Sequence, residues 1–144
     1  MLYKPDIARL SAGFTLLELL VVVAIIGLLA AYVGPRYVAQ LNKSEATAAR
    51  TQIEALARAL ESYRLDNGSY PAAEIGLNAL RNRPTNQPRW NGPYLQKDVP
   101  VDPWGNAYFY RLSNAASSGR DFELLSFGRD GRAGGSGENA DIRF

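Results

Sequence analysis

GFTLLELLVVVAIIGLLAAYVGPRY, residues 13–37, decides how the rest of this chain has to be read. From Phe14 to Val33, twenty residues carry one charge, Glu18, and one aliphatic hydroxyl, Thr15. At 1.5 Å per residue such a helix covers roughly 30 Å, the thickness of a bilayer's hydrocarbon core. A secretory signal has a shorter apolar stretch, about 7–15 residues, followed by a small-residue cleavage site. Tyr32-Val33-Gly34-Pro35-Arg36 offers no such site. The segment is therefore expected to be a retained membrane helix.

Outward from it, charge is distributed unevenly. Lys4, Arg9, Arg36 and Lys43 stand against Asp6 and Glu18 up to residue 43, whereas twelve Arg/Lys balance twelve Asp/Glu from Ser44 onward. The whole net charge of +2 thus flanks the apolar segment. Juxtamembrane cations of this kind set orientation and touch anionic lipid. A nucleic-acid binder would carry its basic stripe on the folded part instead. Within the segment, Glu18 is out of place, because a lone carboxylate near a bilayer's centre costs on the order of 2.5–3.5 kcal/mol. Either it snorkels to the headgroups or it meets a cation. A cut between Gly13 and Phe14 would create such a cation, an α-ammonium four residues from Glu18, one helical turn within a chain or within reach between staggered chains.

The full chain of 144 residues is enough for one domain and one core. With no cysteine and no histidine, disulfides, thiolate metal sites, cysteine nucleophiles and the commonest general base are excluded. Enzyme readings weaken accordingly. Gly34-Pro35 predicts a kink or local melting of the helix. Beyond it, Tyr37 to Leu65 is rich in helix formers, and Ile53, Leu56, Leu60 and Tyr63 recur at helical spacing, which predicts a core-facing stripe. Asp66-Asn67-Gly68-Ser69-Tyr70-Pro71 ends this helix. A short amphipathic turn from Glu74 to Arg81 follows, then a proline-punctuated segment from Arg83 to Pro103 that Trp90, Tyr94 and Trp104 would pin to the domain. Residues 107–112 (AYFYRL) and 122–127 (FELLSF) predict an antiparallel pair joined by a loop over 113–121.

The string Gly13-Phe14-Thr15-Leu16-Leu17-Glu18-Leu19-Leu20-Val21 resembles the class III signal of type IV pilins and pseudopilins. DNGSYP at 66–71, GPYL at 92–95, VPVDPWGNAYFY at 99–110 and SFGRDGRAGGSGENADI at 126–142 are similar to the major pseudopilin of type II secretion, the general secretion pathway protein G family. The resemblance implies an α+β, pilin-like fold: a long N-terminal helix, half transmembrane and half amphipathic, on a small antiparallel sheet with a C-terminal calcium loop. It implies three regions, a cleaved leader 1–13, an assembly helix 14–34 and a periplasmic domain 35–144. It also implies that Gly27–Pro35 unwinds during assembly. A prepilin peptidase would cut between Gly13 and Phe14, Phe14 would be N-methylated, and Glu18 would guide docking.

From spacing alone, Asp130 and Asp141 in the glycine-rich C-terminal stretch are either ligands of a hard cation or ordinary Asx turns. The resemblance points to calcium, held by the side chains of Asp130 and Asp141 and the carbonyls of Phe127, Arg129 and Arg132. Ala140 stands where some relatives have a second aspartate, so weaker binding is expected. The implied partners are further copies of the chain in a filament, minor pseudopilins, the peptidase, an inner-membrane assembly platform and membrane lipid, with no nucleic acid. The implied location is the inner membrane of a Gram-negative bacterium, single-pass with the C-terminal domain in the periplasm. The filament would drive folded exoproteins through an outer-membrane secretin. A type IV pilin for adhesion or motility shares the N-terminal motif, but the absence of a cysteine pair and the DPWG and GGSGENADI strings favour the secretion subunit.

Overall fold

The computed structural model describes residues 13–113 and 121–144. Two compact units divide the chain, Met1–Ala39 and Gln40–Phe144. Helix α1, Leu16–Asn67, supplies all of the regular structure described in the first unit and the backbone of the second. In the first unit its apolar side chains have nothing to pack against: Leu16, Val23, Ile26 and Leu29 are all exposed. A window of α1 with mean hydropathy 2.7 has no buried residue and is long enough to cross a membrane. The helix does not melt at Pro35: α1 continues through it, with residues on both sides helical. Proline removes its own backbone donor and crowds the carbonyl four residues back, and the helix-favouring alanines and leucines before it offset that cost.

In the second unit, Ala49, Ile53, Leu56, Leu60 and Tyr63 fall at alternating spacings of four and three and are at most 1% exposed. This stripe is the long side of the core. Thr47, Thr51 and Ser62 lie outside it and return their hydroxyls to the carbonyl four residues back. Helix α1 ends at Asn67, two residues past the expected end. There Gly68 takes a φ of +83°, and its N–H donates to Arg64 O at 2.7 Å.

The chain then closes over the stripe. A 3-10 turn over Gly76–Leu80 inserts Leu77, Ala79 and Leu80. Strands β1 (Phe109–Leu112) and β2 (Phe122–Ser126) pair antiparallel, Phe109 opposite Leu125 and Leu112 opposite Phe122. Both begin and end within two residues of the sequence expectation. A third strand, β3 (Ile142–Arg143), pairs antiparallel with β2, Ser126 opposite Ile142, giving the order β1-β2-β3. Two residues are too few to show a period, so β3 left no trace in the sequence pattern. Most of the expected 113–121 loop lies outside the described residues.

The long segment between the 3-10 turn and β1 is tethered by its aromatics, as expected. Trp90 Nε1 donates to Ala79 O at 2.8 Å, and Tyr94 Oη donates to Asp66 Oδ2 at 2.8 Å. Trp104 Nε1 donates to Glu45 Oε2 at 2.9 Å. Tyr94 also packs edge-on against Tyr63 and Trp90, with ring centroids 5.6 and 5.7 Å away.

Candidate functional site

Two places carry the functional chemistry. The first is the start of α1. Gly13 and Phe14 precede the helix and are exposed, and a Cβ built on Gly13 would meet nothing within 4 Å among the described residues. The described part of the fold therefore makes no demand for glycine there. Thr15 is the N-cap: its carbonyl accepts the first intrahelical bond from Leu19 N at 3.2 Å. Its hydroxyl accepts from Glu18 N at 3.2 Å, while Thr15 N donates to Glu18 Oε2 at 3.1 Å. The Thr15 hydroxyl and Glu18 Oε2 also lie 3.2 Å apart. Thr-x-x-Glu closing on itself in this way is a capping box, which satisfies two orphan donors and puts a negative charge at the positive end of the helix. The string T-L-L-E is the sequence sign of this cap, which gives Glu18 a role beside the snorkelling, cation-pairing and docking expected of it. Neither Thr15 nor Glu18 belongs to residues 1–13, so removing those residues leaves the box in place.

The second place is the loop from Phe127 to Asp141, and a buried carboxylate outside it sets its start. Asp102, 3% exposed, accepts from Trp104 N at 3.1 Å and Asn106 N at 2.7 Å through Oδ1. Its Oδ2 accepts from the Ser126 hydroxyl at 2.6 Å, and Ser126 Oγ accepts in turn from Gly128 N at 3.1 Å. Asn106 Nδ2 donates to Gly128 O at 3.1 Å. The Asp-Pro-Trp-Gly-Asn turn is thus a template on which the loop begins. In the sequence, aspartate before Pro-x-Gly is the sign of this Asx turn.

Inside the loop, Gly128 (φ +68°) and Gly135 (φ +91°) are required by close approach. A Cβ on Gly128 would lie 2.9 Å from Ala140 O, and one on Gly135 would collide with Asn139 O. The two ends of the loop therefore press together with backbone oxygens at the contact. Asp130 Oδ1 accepts from Arg132 N at 3.2 Å, an Asx turn. Asp141 accepts Gly134 N on both oxygens at 3.1 Å, and its Oδ2 also meets Arg143 Nη2 at 3.0 Å. The Arg129 guanidinium does something its place in the sequence did not suggest. It ties the loop to α1, pairing with Glu45 Oε2 at 3.1 Å, Glu138 Oε2 at 3.0 Å and Asn42 Oδ1 at 2.5 Å. Asn42 Nδ2 also donates to Glu138 Oε1.

The donors available to a cation here are all oxygen, which in kind fits calcium. Of the loop's three carboxylates Glu138 is taken by Arg129 and Asn42, which leaves Asp130 and Asp141, and among the described residues no three Asp, Glu, His or Cys side chains gather in a metal-binding group. Ala140 contributes only its backbone.

A long, partly unburied helix leading a three-stranded antiparallel sheet, with a capped apolar start and a glycine-rich closing loop, defines a pilin-like subunit. Residues 36–144 match the family "Type II secretion system (T2SS), protein G", and residues 8–34 match the "Prokaryotic N-terminal methylation motif". The chain is 44% identical to the type II secretion system core protein G of Pseudomonas aeruginosa over 137 residues, which is 93% of this chain and 94% of that one. It is 42% identical to the Vibrio cholerae core protein G, covering 93% and 91%. The crystal structure of the major pseudopilin from the type 2 secretion system of enterohaemorrhagic Escherichia coli aligns with a TM-score of 0.56 and 34% identity, covering 72% of this chain and 89% of that one. The chain belongs to the type II secretion system protein G family. The secretion reading thereby prevails over that of a surface-pilus pilin.

Proposed function

We propose that this chain is the major structural subunit of a type II secretion pseudopilus, a filament that pushes folded exoproteins through an outer-membrane secretin. One observation carries the proposal beyond family membership: the apolar half of α1 has no buried residue, so its side chains need other helices or lipid. In this reading residues 1–13 are a leader, 14–34 form a single inner-membrane span, and 35–144 stand in the periplasm. Copies of the chain, minor pseudopilins and an inner-membrane platform are its partners, and a prepilin peptidase its processing enzyme. The chain's role is mechanical rather than catalytic.

The open space at Gly13 supports the processing step, because the glycine then answers to a peptidase and not to the fold. Gly13 to a bulky residue should leave the domain folded and the leader uncut, read by N-terminal sequencing. Glu18→Ala should be cut, and Phe14 methylated, yet assemble poorly because the membrane-level carboxylate is gone. Normal filaments from the Glu18→Ala chain would sink the docking role. Deleting the chain should remove proteins from the culture medium and leave surface pili intact; the reverse pattern would return the pilus reading.

For the C-terminal loop the proposed ligand is calcium, taken by Asp130, Asp141 and the carbonyls of Phe127, Arg129 and Arg132. With only two carboxylates, binding is in the millimolar range typical of weak extracellular sites. Calcium at a hundredfold excess over Kd stabilises the fold by about 2.7 kcal/mol. Thermal unfolding of the full chain in mild detergent should show stabilisation by calcium, little by magnesium, and none in Asp130→Ala. Identical curves in calcium and chelator would leave both aspartates as turn residues.

A further inference from the structure

We propose that Arg143 is the loop's resident counter-ion and the residue that sets its calcium affinity, by competing with the metal for Asp141. The proposal rests on the calcium reading of the loop. Asp141 is the deeper of the loop's carboxylates, its side chain 8% exposed, and in the described state its oxygens are already engaged. Gly134 N lies 3.1 Å from both Oδ1 and Oδ2, and Arg143 Nη2 lies 3.0 Å from Oδ2. A charge-assisted bond to a guanidinium is the stronger of these and is itself a cation's place. For calcium to take Oδ2, Arg143 has to leave it.

Arg143 has somewhere to go. Its Nη1 already meets Glu123 Oε1 at 3.0 Å, and its side chain is 60% exposed. The pairing of β3 with β2 places Arg143 opposite Leu125, within reach of Glu123 two residues earlier on β2. Glu123 is in turn held by Arg111 Nε, 2.6 Å from Oε2. The result is a line of alternating charge, Arg111, Glu123, Arg143, Asp141, running from β1 to the loop's last carboxylate. Arg143 bridges Glu123 and Asp141 and so closes the loop. With metal, it retreats to Glu123, and repulsion between its charge and the divalent ion lowers the affinity further. Arg129 plays no such part, because its partners Glu45, Glu138 and Asn42 are not among the proposed ligands.

The test compares full-length chains in mild detergent, unfolded thermally in chelator and in calcium chloride, with Kd taken from calorimetric titration with calcium chloride. Arg143→Gln should melt lower than wild type in chelator yet gain more from calcium, with a Kd roughly tenfold tighter, the equivalent of one charge-assisted bond no longer displaced. Arg143→Lys should restore most of the wild-type weakness. Glu123→Gln should do the opposite of Arg143→Gln, freeing Arg143 for Asp141 and weakening calcium binding. A purely structural arginine would lower the melting temperature equally in both conditions and leave Kd unchanged; that outcome overturns the competition and leaves the calcium reading standing. No response to calcium in wild type, Arg143→Gln and Glu123→Gln alike overturns both.

Discussion

The two halves of helix α1 are built from similar apolar residues and put to opposite use. In the first half Leu16, Val22, Ile25 and Leu29 stay exposed; in the second Ile53, Leu56 and Leu60 are sealed to 1% or less. Hydrophobicity alone does not decide which. The second half gathers most of its large apolar residues into one stripe, Leu41 and Leu65 excepted, with Glu54, Arg58 and Glu61 between them, whereas the first is apolar on all sides. A helix apolar all round needs lipid or other helices, while a striped one needs a sheet or a loop to cover it. Only the second half can therefore contribute to the stability of the isolated chain.

Truncation should separate the halves most sharply. Leu60→Ala removes a fully buried side chain from the centre of the core and should cost about 2–5 kcal/mol. For a domain of this size that is a fall in melting temperature on the order of 10 °C or more. Val22→Ala should leave the domain's melting temperature unchanged, though it alters the surface offered to neighbouring helices. Circular dichroism in detergent reads both. Equal effects from the two substitutions would mean that the first half has an intramolecular partner, and the contrast would collapse.

The helix and its division were legible because each half has a strong pattern: twenty nearly uncharged residues in one, and 53, 56, 60 and 63 at helical spacing in the other. The strand pair was legible from clustered aromatics. What escaped was the polar scaffolding. Asp102 and Ser126 are 24 residues apart, Glu45 and Trp104 are 59 apart, and Arg129 reaches Asn42 across 87. No period or local spacing encodes such contacts, since they exist only once the chain has closed over the stripe. Of the site residues named from sequence, Asp130 and Asp141 do lie in one glycine-rich loop. Arg129, named for its carbonyl, ties the loop to α1 through its side chain.

Asp102 gives the next largest effect and sharpens the contrast from the polar side. Its carboxylate takes three internal donors in a site that is 3% exposed. Asp102→Ala leaves the Ser126 hydroxyl and two backbone N–H groups seeking partners, at about 1–3 kcal/mol for an unsatisfied group. The loss should be near 3 kcal/mol, and the loop beginning at Gly128 should exchange its amide protons faster than the stripe of α1 does. Uniform exchange across the domain would show that the loop does not depend on this template.

The pH dependence of stability should come from tyrosines in the second unit. Tyr108 has its pKa raised by burial first and by the nearby negative charge of Asp102 second. Tyr110 has its pKa raised by burial and then by Tyr63 and Tyr70. Each hydroxyl is a donor in the neutral form, Tyr108 to Gln52 Oε1 at 2.5 Å and Tyr110 to Pro71 O at 2.8 Å. A folded pKa above the unfolded value means that the folded chain holds protons the unfolded chain would release. Stability is then fully present below about pH 10 and declines above it, by at most about 1.4 kcal/mol per pH unit per tyrosine. Tyr108→Phe should be less stable at neutral pH and show a shallower decline above pH 10. An unchanged slope would locate the alkaline transition elsewhere.

The smallest effect is expected on the exposed side of the same striped half. Glu54 and Arg58 form an i,i+4 pair at 3.9 Å with side chains 54% and 72% exposed. The order, acid before base, is the favourable one along a helix. Solvent screening and the entropy of holding two long side chains nevertheless leave such pairs worth roughly 0.5 kcal/mol or less. Glu54→Ala also places the best helix former at the position, which offsets part of that loss. The melting temperature of Glu54→Ala should therefore stay within about 2 °C of wild type, and 1 M salt, where the screening length falls to about 3 Å, should remove the ion-pair part and shift the difference toward the variant. A fall comparable to that of Leu60→Ala would mean that the polar face of this half is covered as well, and that the stripe is not the only part of the second half that stabilises the chain.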